Sequence, residues 1–121
     1  MTAQAVISAA SNSFAKMGVR NLGNKYKEYV LFMKALGDET RLEIFHMLSD
    51  GELCACKILE EFHITQPTLS YHMKILCESG LVNGRKDSIW MKYSINDESL
   101  NTIKELFNAL AAAQNVKEMI F

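Results

Sequence analysis

Cys54 and Cys56 stand two positions apart in GELCACKILEEF, residues 51–62, and two sulfurs at that spacing suit one kind of chemistry. As thiolates they are soft donors, which select a thiophilic centre and expel oxygen ligands. Apolar spacing starts a helix near Leu53, with Ala55, Ile58, Leu59 and Phe62 on one side and Lys57, Glu60 and Glu61 on the other. The N-terminus of a helix favours thiolate through its dipole. On an ideal helix from Leu53 the two cysteines point about 160° apart, so capture of one ion by both is expected to deform the first turn. Neither lies on the apolar arc. Cys77 falls beside the apolar stripe of a later segment, where packing is its expected role and a third ligand position the alternative. His46 and His63 read as packed or solvated histidines, and the seven scattered methionines as core filling.

The chain of 121 residues allows one domain with a modest core, expected to span 1–121. Its formal charge of −1 argues against unspecific coating of nucleic acid and leaves room for a local basic surface. No apolar run reaches the roughly 18 residues of a membrane span, and the N-terminal residues lack a secretory pattern. The expected location is cytoplasmic, and the cysteines are expected as thiols there. No glycine-rich phosphate loop or carboxylate constellation appears, so an enzyme is not expected.

Apolar spacing reads mostly as helix. Ala3, Val6, Ile7, Ala10, Phe14 and Met17 make one stripe, GVRNLG breaks it, and Tyr26, Tyr29, Val30, Met33 and Leu36 resume it. Asp38 caps the next helix, whose buried face is read as Leu42, Phe45 and Leu48. After the helix over 53–62, Thr65 caps another that admits Pro67 in its first turn and stops at Gly80. The period then changes to two: Ile89, Met91, Tyr93 and Ile95 alternate with Trp90, Lys92 and Ser94, and LVNGR pairs with them across Lys86-Asp87-Ser88. Asn96 caps a last helix striped by Leu100, Ile103, Leu106, Phe107 and Leu110. The fold class expected is mainly α with a small antiparallel β hairpin, a winged helix-turn-helix with its helix-turn-helix at 53–80 and its wing at 81–95.

Rotation of the helix after Thr65 puts Leu69, Met73 and Leu76 inside and Thr68, Tyr71 and Lys74 outside, with Gln66 and Ser70 at the margin. Hydroxyl, phenol and ammonium groups there suit base edges and phosphates. Any amphipathic helix has a polar face; the order of helix, connector, helix and basic hairpin, with Arg85, Lys86 and Lys92, is what points to DNA.

LGDETRLEIFHML, TQPTLSYHMKIL and SGLVNGRKDSIWMKYSI, in that order, resemble the ArsR/SmtB family of metal- and metalloid-responsive repressors over about residues 36–95. The resemblance implies a homodimer joined through the first and last helices, 1–36 and 96–121, that holds double-stranded operator DNA until an inducer binds. It implies operator contacts from Thr65, Gln66, Thr68, Ser70, Tyr71 and His72. Glu52-Leu53-Cys54-Ala55-Cys56 is similar to the E-L-C-x-C of arsenite- and antimonite-sensing members, although Leu59 stands where some carry a third cysteine. Relatives that sense cadmium or lead use further cysteines in an N-terminal arm, and residues 1–53 have none; zinc sensors use histidine in the last helix, and residues 96–121 have none. The implied inducer is As(III) or Sb(III) at Cys54 and Cys56, with no cofactor needed for DNA binding. A thiol-based redox repressor and a response to another thiophilic metal are the alternatives. A disulfide between cysteines two apart is expected to be strained, so oxidation would take another form.

Overall fold

A computed structural model describes the backbone of residues 19–120 and the side chains of 25–114. Helix α1 (Val19–Leu36) is followed by α2 (Glu39–Met47), a 3-10 turn (Leu48–Asp50), strand β1 (Leu53–Cys54), α3 (Ala55–Phe62) and α4 (Gln66–Ser79). Strands β2 (Val82–Asp87) and β3 (Trp90–Ile95) lead into α5 (Asp97–Ile120). The result is mainly helical with a small antiparallel sheet, as expected. The helix expected over 3–17 lies outside the described residues.

Each boundary has a local cause. Asp38 accepts the Arg41 N–H at 3.0 Å and starts α2. Asn96 accepts the Ser99 N–H at 2.9 Å and starts α5. Gly80, at φ 90°, ends α4 by donating to Cys77 O at 3.0 Å, a left-handed position that favours glycine.

Backbone contacts gather Val30–Leu100 into one compact unit; the described residues before and after it form a second. In the first, Phe32, Ile44, Ile58, Met73, Leu76 and Leu81 are fully buried, so α1 to α4 and the start of the wing all contribute to its core. In the second, Tyr29 and Ile103 are buried and Lys25 lies 3.5 Å from Glu105.

Four expectations are corrected. The hairpin is part of a three-stranded sheet in the order β1-β3-β2, because Leu53 and Cys54 pair with Tyr93 and Lys92. Asp87 pairs with Trp90, which moves the turn to Ser88-Ile89; Ser88 takes φ 61° and Ile89 leaves the strand, 84% exposed. Helix α1 begins at Val19 and runs through most of the segment expected to break it. Leu42 is exposed and Ile44 buried, because the buried arc of α2 is Ile44 and Phe45, continued by Leu48 in the 3-10 turn, and Leu42 lies about 200° from Ile44.

Candidate thiol site and nucleic-acid interface

Cys54 ends β1 and caps α3. Its pairing with Lys92 holds it extended, at φ −70° and ψ 144°, so the helix starts only at Ala55. Cys54 Sγ accepts the Cys56 N–H at 3.3 Å, and the two sulfurs are joined as a disulfide with a Cα–Cα separation of 5.2 Å, inside the usual range of about 4.4–6.8 Å. The expectation of diverging sulfurs is therefore corrected. The angle of an ideal helix does not apply to a residue standing off the helix, so the sulfurs converge with the first turn intact. Cysteines two apart also close on each other here, because the chain changes from strand to helix between them.

The donor set suits a thiophilic centre: two soft sulfurs brought together at a helix N-terminus. Among the described residues no cluster of three histidine, cysteine or carboxylate groups is placed to hold a metal ion. Cys77 is half-buried in α4, and burial pushes its thiol above the ordinary value, which disfavours thiolate. His46 and His63 are exposed, and His63, at φ 49°, ends α3.

Helix α4 carries the polar face. Thr65 Oγ1 accepts the Thr68 N–H at 3.3 Å and donates to Thr68 Oγ1 at 2.9 Å, and Pro67 occupies the first turn without loss. Leu69, Met73 and Leu76 are buried, whereas Thr65, Gln66, Thr68, Ser70, Tyr71 and Lys74 are exposed. Tyr71 is 60% exposed, its ring edge-on to His72 with centroids 5.4 Å apart. Lys74 lies 4.0 Å from Glu78. His72 is half-buried and held from behind by Arg41.

The wing is less free than its composition implied. Arg85 donates two hydrogen bonds to Glu52, from Nε at 2.8 Å and Nη2 at 2.6 Å, and Lys92 meets Asp87 at 2.8 Å. Lys86 is exposed and has no ion pair among the described residues. The Arg85 hydrogen bond holds the Glu52 carboxyl below its ordinary value, and Lys92 does the same for Asp87. Register sets Cys54, Lys92 and Arg85 in one row across the three strands.

A family model described as "Bacterial regulatory protein, arsR family" matches residues 38–84, from the cap of α2 into β2. The arsenical resistance operon repressor of Staphylococcus xylosus is 49% identical over 80 residues, covering 66% of this chain and 77% of that protein. Its namesake in Staphylococcus aureus is 47% identical over 85 residues, covering 70% and 82%. The chain belongs to the arsR family. Among solved structures, HlyU from Vibrio cholerae aligns over 69% of this chain and 91% of its own with a TM-score of 0.59 and 32% identity. An arsR-family protein of this winged helix-turn-helix fold is a DNA-binding transcription regulator and not an enzyme.

Two residues of this arsR-family chain were not legible as part of the site. Glu52 engages a wing arginine 33 positions away, and Arg41 reaches a histidine 31 positions away. Glu52 stands in the E-L-C-x-C motif and Arg41 in the first turn of a capped helix, but neither position names its partner.

Proposed function

We propose that this chain is a transcriptional repressor that leaves its operator when Cys54 and Cys56, as thiolates, capture trivalent arsenic or antimony. The observation that carries the reading is the convergence of both sulfurs at the cap of α3, next to the strand that pairs with the wing. The arsenical-resistance names of the two staphylococcal relatives support this choice of inducer. Thr65, Gln66, Thr68, Ser70, Tyr71 and His72 meet the operator, with Lys74 and Lys86 on phosphates and Arg85 and Lys92 beside them, each held by a carboxylate. The repressor works in the cytoplasm as a homodimer, needs no cofactor to bind DNA, and spaces its two α4 helices about one DNA turn, roughly 34 Å, apart. Exposed apolar side chains at helical spacing support pairing of the terminal helices: Tyr26, Val30 and Met33 on α1, and Phe107 and Leu110 on α5.

Release follows from the place of Cys54. Its sulfur is the acceptor that caps α3, and a metalloid placed between the two sulfurs must spread them apart, which pulls on that cap. The first turn of α3 and the β1–β3 pairing then shift together, and α3 packs against α4. DNA and inducer favour different arrangements of that segment, which is the linkage a repressor needs.

The disulfide favours a second reading, in which oxidation of the same pair releases DNA. One titration separates them. Reduced protein on the duplex upstream of its gene is challenged with arsenite, antimonite, cadmium, zinc or peroxide, alongside Cys54→Ser and Cys56→Ser. The expected result is release by arsenite and antimonite, lost in both variants with operator affinity kept. Release by peroxide alone, reversed by a reductant, would assign the pair to redox sensing, and variants that respond normally to arsenite would eliminate the thiol site.

A further inference from the structure

Arg41 makes three hydrogen bonds to three different segments. Its N–H donates to the Asp38 carboxylate at 3.0 Å, its Nε donates to Ala35 O at 2.6 Å, and its Nη1 donates to His72 Nδ1 at 3.1 Å. Ala35 is in the last turn of α1, where carbonyls lack partners within the helix. The Arg41 guanidinium therefore ties the end of α1 to the middle of α4, while its backbone N–H meets the cap of α2. Its fork is rigid and planar, so the direction of the Nη1 bond is fixed once Nε is engaged.

The chemistry of the third bond is one-sided. A guanidinium has donors and no acceptor, so the nitrogen it meets must offer a lone pair. His72 Nδ1 is that nitrogen, and the ring proton must then sit on Nε2. His72 is half-buried on α4 between buried Met73 and exposed Tyr71, whose ring packs edge-on against it. With Nδ1 occupied and one flank covered by Tyr71, the ring has a single donor left to offer.

We propose that Arg41 is a positioning residue for operator binding: it fixes His72 as the Nε2–H tautomer and aims that donor at a DNA phosphate. The inference rests on the operator reading above and adds a role for a residue behind the interface. A neutral N–H donor on a phosphate contributes position and register, not base choice. Arg41 also makes the bond conditional on the packing of α1, because the same guanidinium holds the Ala35 carbonyl.

The test combines a spectroscopic readout without DNA and a binding readout with it. At about pH 8, where histidine is neutral, nitrogen chemical shifts report which ring nitrogen of His72 carries the proton. The full chain is expected to show His72 as the Nε2–H tautomer, and Arg41→Met and Arg41→Lys to show a mixture. The lysine variant keeps the charge but cannot serve both Ala35 O and His72 Nδ1. Thermal melts establish that both variants are folded, and the lysine variant carries the test if the methionine variant melts out.

On the upstream duplex, Arg41→Lys and His72→Ala are each expected to weaken binding by about five- to tenfold with the log–log salt slope unchanged, because a neutral donor displaces no counterion, and the double variant to fall no further. An unchanged His72 tautomer in both Arg41 variants would overturn the proposal, as would losses that multiply in the double variant. A full chain that binds no upstream duplex would overturn the operator reading and the phosphate contact with it, while the nitrogen shifts still decide whether Arg41 sets the tautomer.

Discussion

Glu52→Gln changes one charge in a row where charges cancel. Glu52 and Asp87 match Arg85 and Lys92, so these four charges beside Cys54 cancel, and Lys86 has no ion pair among the described residues. Glutamine keeps the shape and loses the charge, which frees Arg85 and leaves the row at a net positive charge. If the wing lies on the DNA backbone, one added phosphate contact per subunit steepens the salt dependence by about 0.9 in log–log slope. Between about 50 and 200 mM salt, that slope makes the gain in affinity shrink by roughly 3.5-fold per subunit. Fluorescence anisotropy on the upstream duplex over that range reads the slope directly. The pair is exposed, 56% at Arg85 and 35% at Glu52, so the melting temperature should hardly move. Arg85→Gln should flatten the slope or leave it as it was, and the double variant should match Arg85→Gln. A Glu52→Gln slope equal to that of the unmodified protein would refute the reasoning, because Arg85 would then be no more available without its carboxylate than with it.

Thr65→Ala removes the cap of α4 and should cost about 1 kcal/mol of stability with weakened operator binding, whereas Thr65→Ser should retain both; urea melts and anisotropy check this. Ile58→Ala empties the fully buried position of α3 and should cost about 2–5 kcal/mol, lowering the melting temperature by about 4 °C per kcal/mol. The carboxyls of Asp38, Glu52 and Asp87 are all held below their ordinary values, by the Arg41 N–H, Arg85 and Lys92 in turn. A lowered folded value stabilises above the unfolded value near 4 and is lost as pH falls through the folded one, so melting temperature should hold from neutral to about pH 5 and fall below about pH 4.

What could be read from the sequence was what short stretches decide by themselves. Thr65, Pro67 and Gly80 delimit α4 with chemistry contained in sixteen residues, and Asp38 and Asn96 each cap a helix through an N–H three residues on. The period-two pattern after Gly80 revealed the wing for the same reason. Distant pairing was not legible. Leu53 and Cys54 join a sheet through residues 92 and 93, and that pairing, not helix propensity, puts Cys54 off the helix and brings the sulfurs together. Arg85 and Lys92 read as free cations because Glu52 and Asp87 can be recognised as their partners only once the strands are in register. Arg41 stands in the first turn of a capped helix, and nothing near it in the sequence names His72 as its partner. The sequence therefore displayed the elements and the reactive atoms, while the contacts that couple them depended on which strand met which.

That coupling sets a quantity the proposed mechanism must satisfy. Cys54 belongs to a strand, a helix cap and a sulfur pair at once, so its displacement by a metalloid costs the cap, less than the about 1 kcal/mol of an oxygen cap, and part of the β1–β3 pairing, roughly 1 kcal/mol for each hydrogen bond lost. Two to three kcal/mol of difference between the free and metalloid-bound arrangements corresponds to about 30- to 150-fold weaker DNA binding per subunit. Linkage makes the same factor apply in reverse: protein already on the upstream duplex must bind arsenite about 30- to 150-fold more weakly than free protein. Competition titrations of arsenite with and without saturating duplex measure the second factor, and anisotropy with and without saturating arsenite measures the first. Equal factors of that size fit a single two-state segment around Cys54. A reduced protein whose arsenite affinity ignores the duplex would mean that the sulfur pair and the reading helix are not coupled, and release would then need a cause outside this segment.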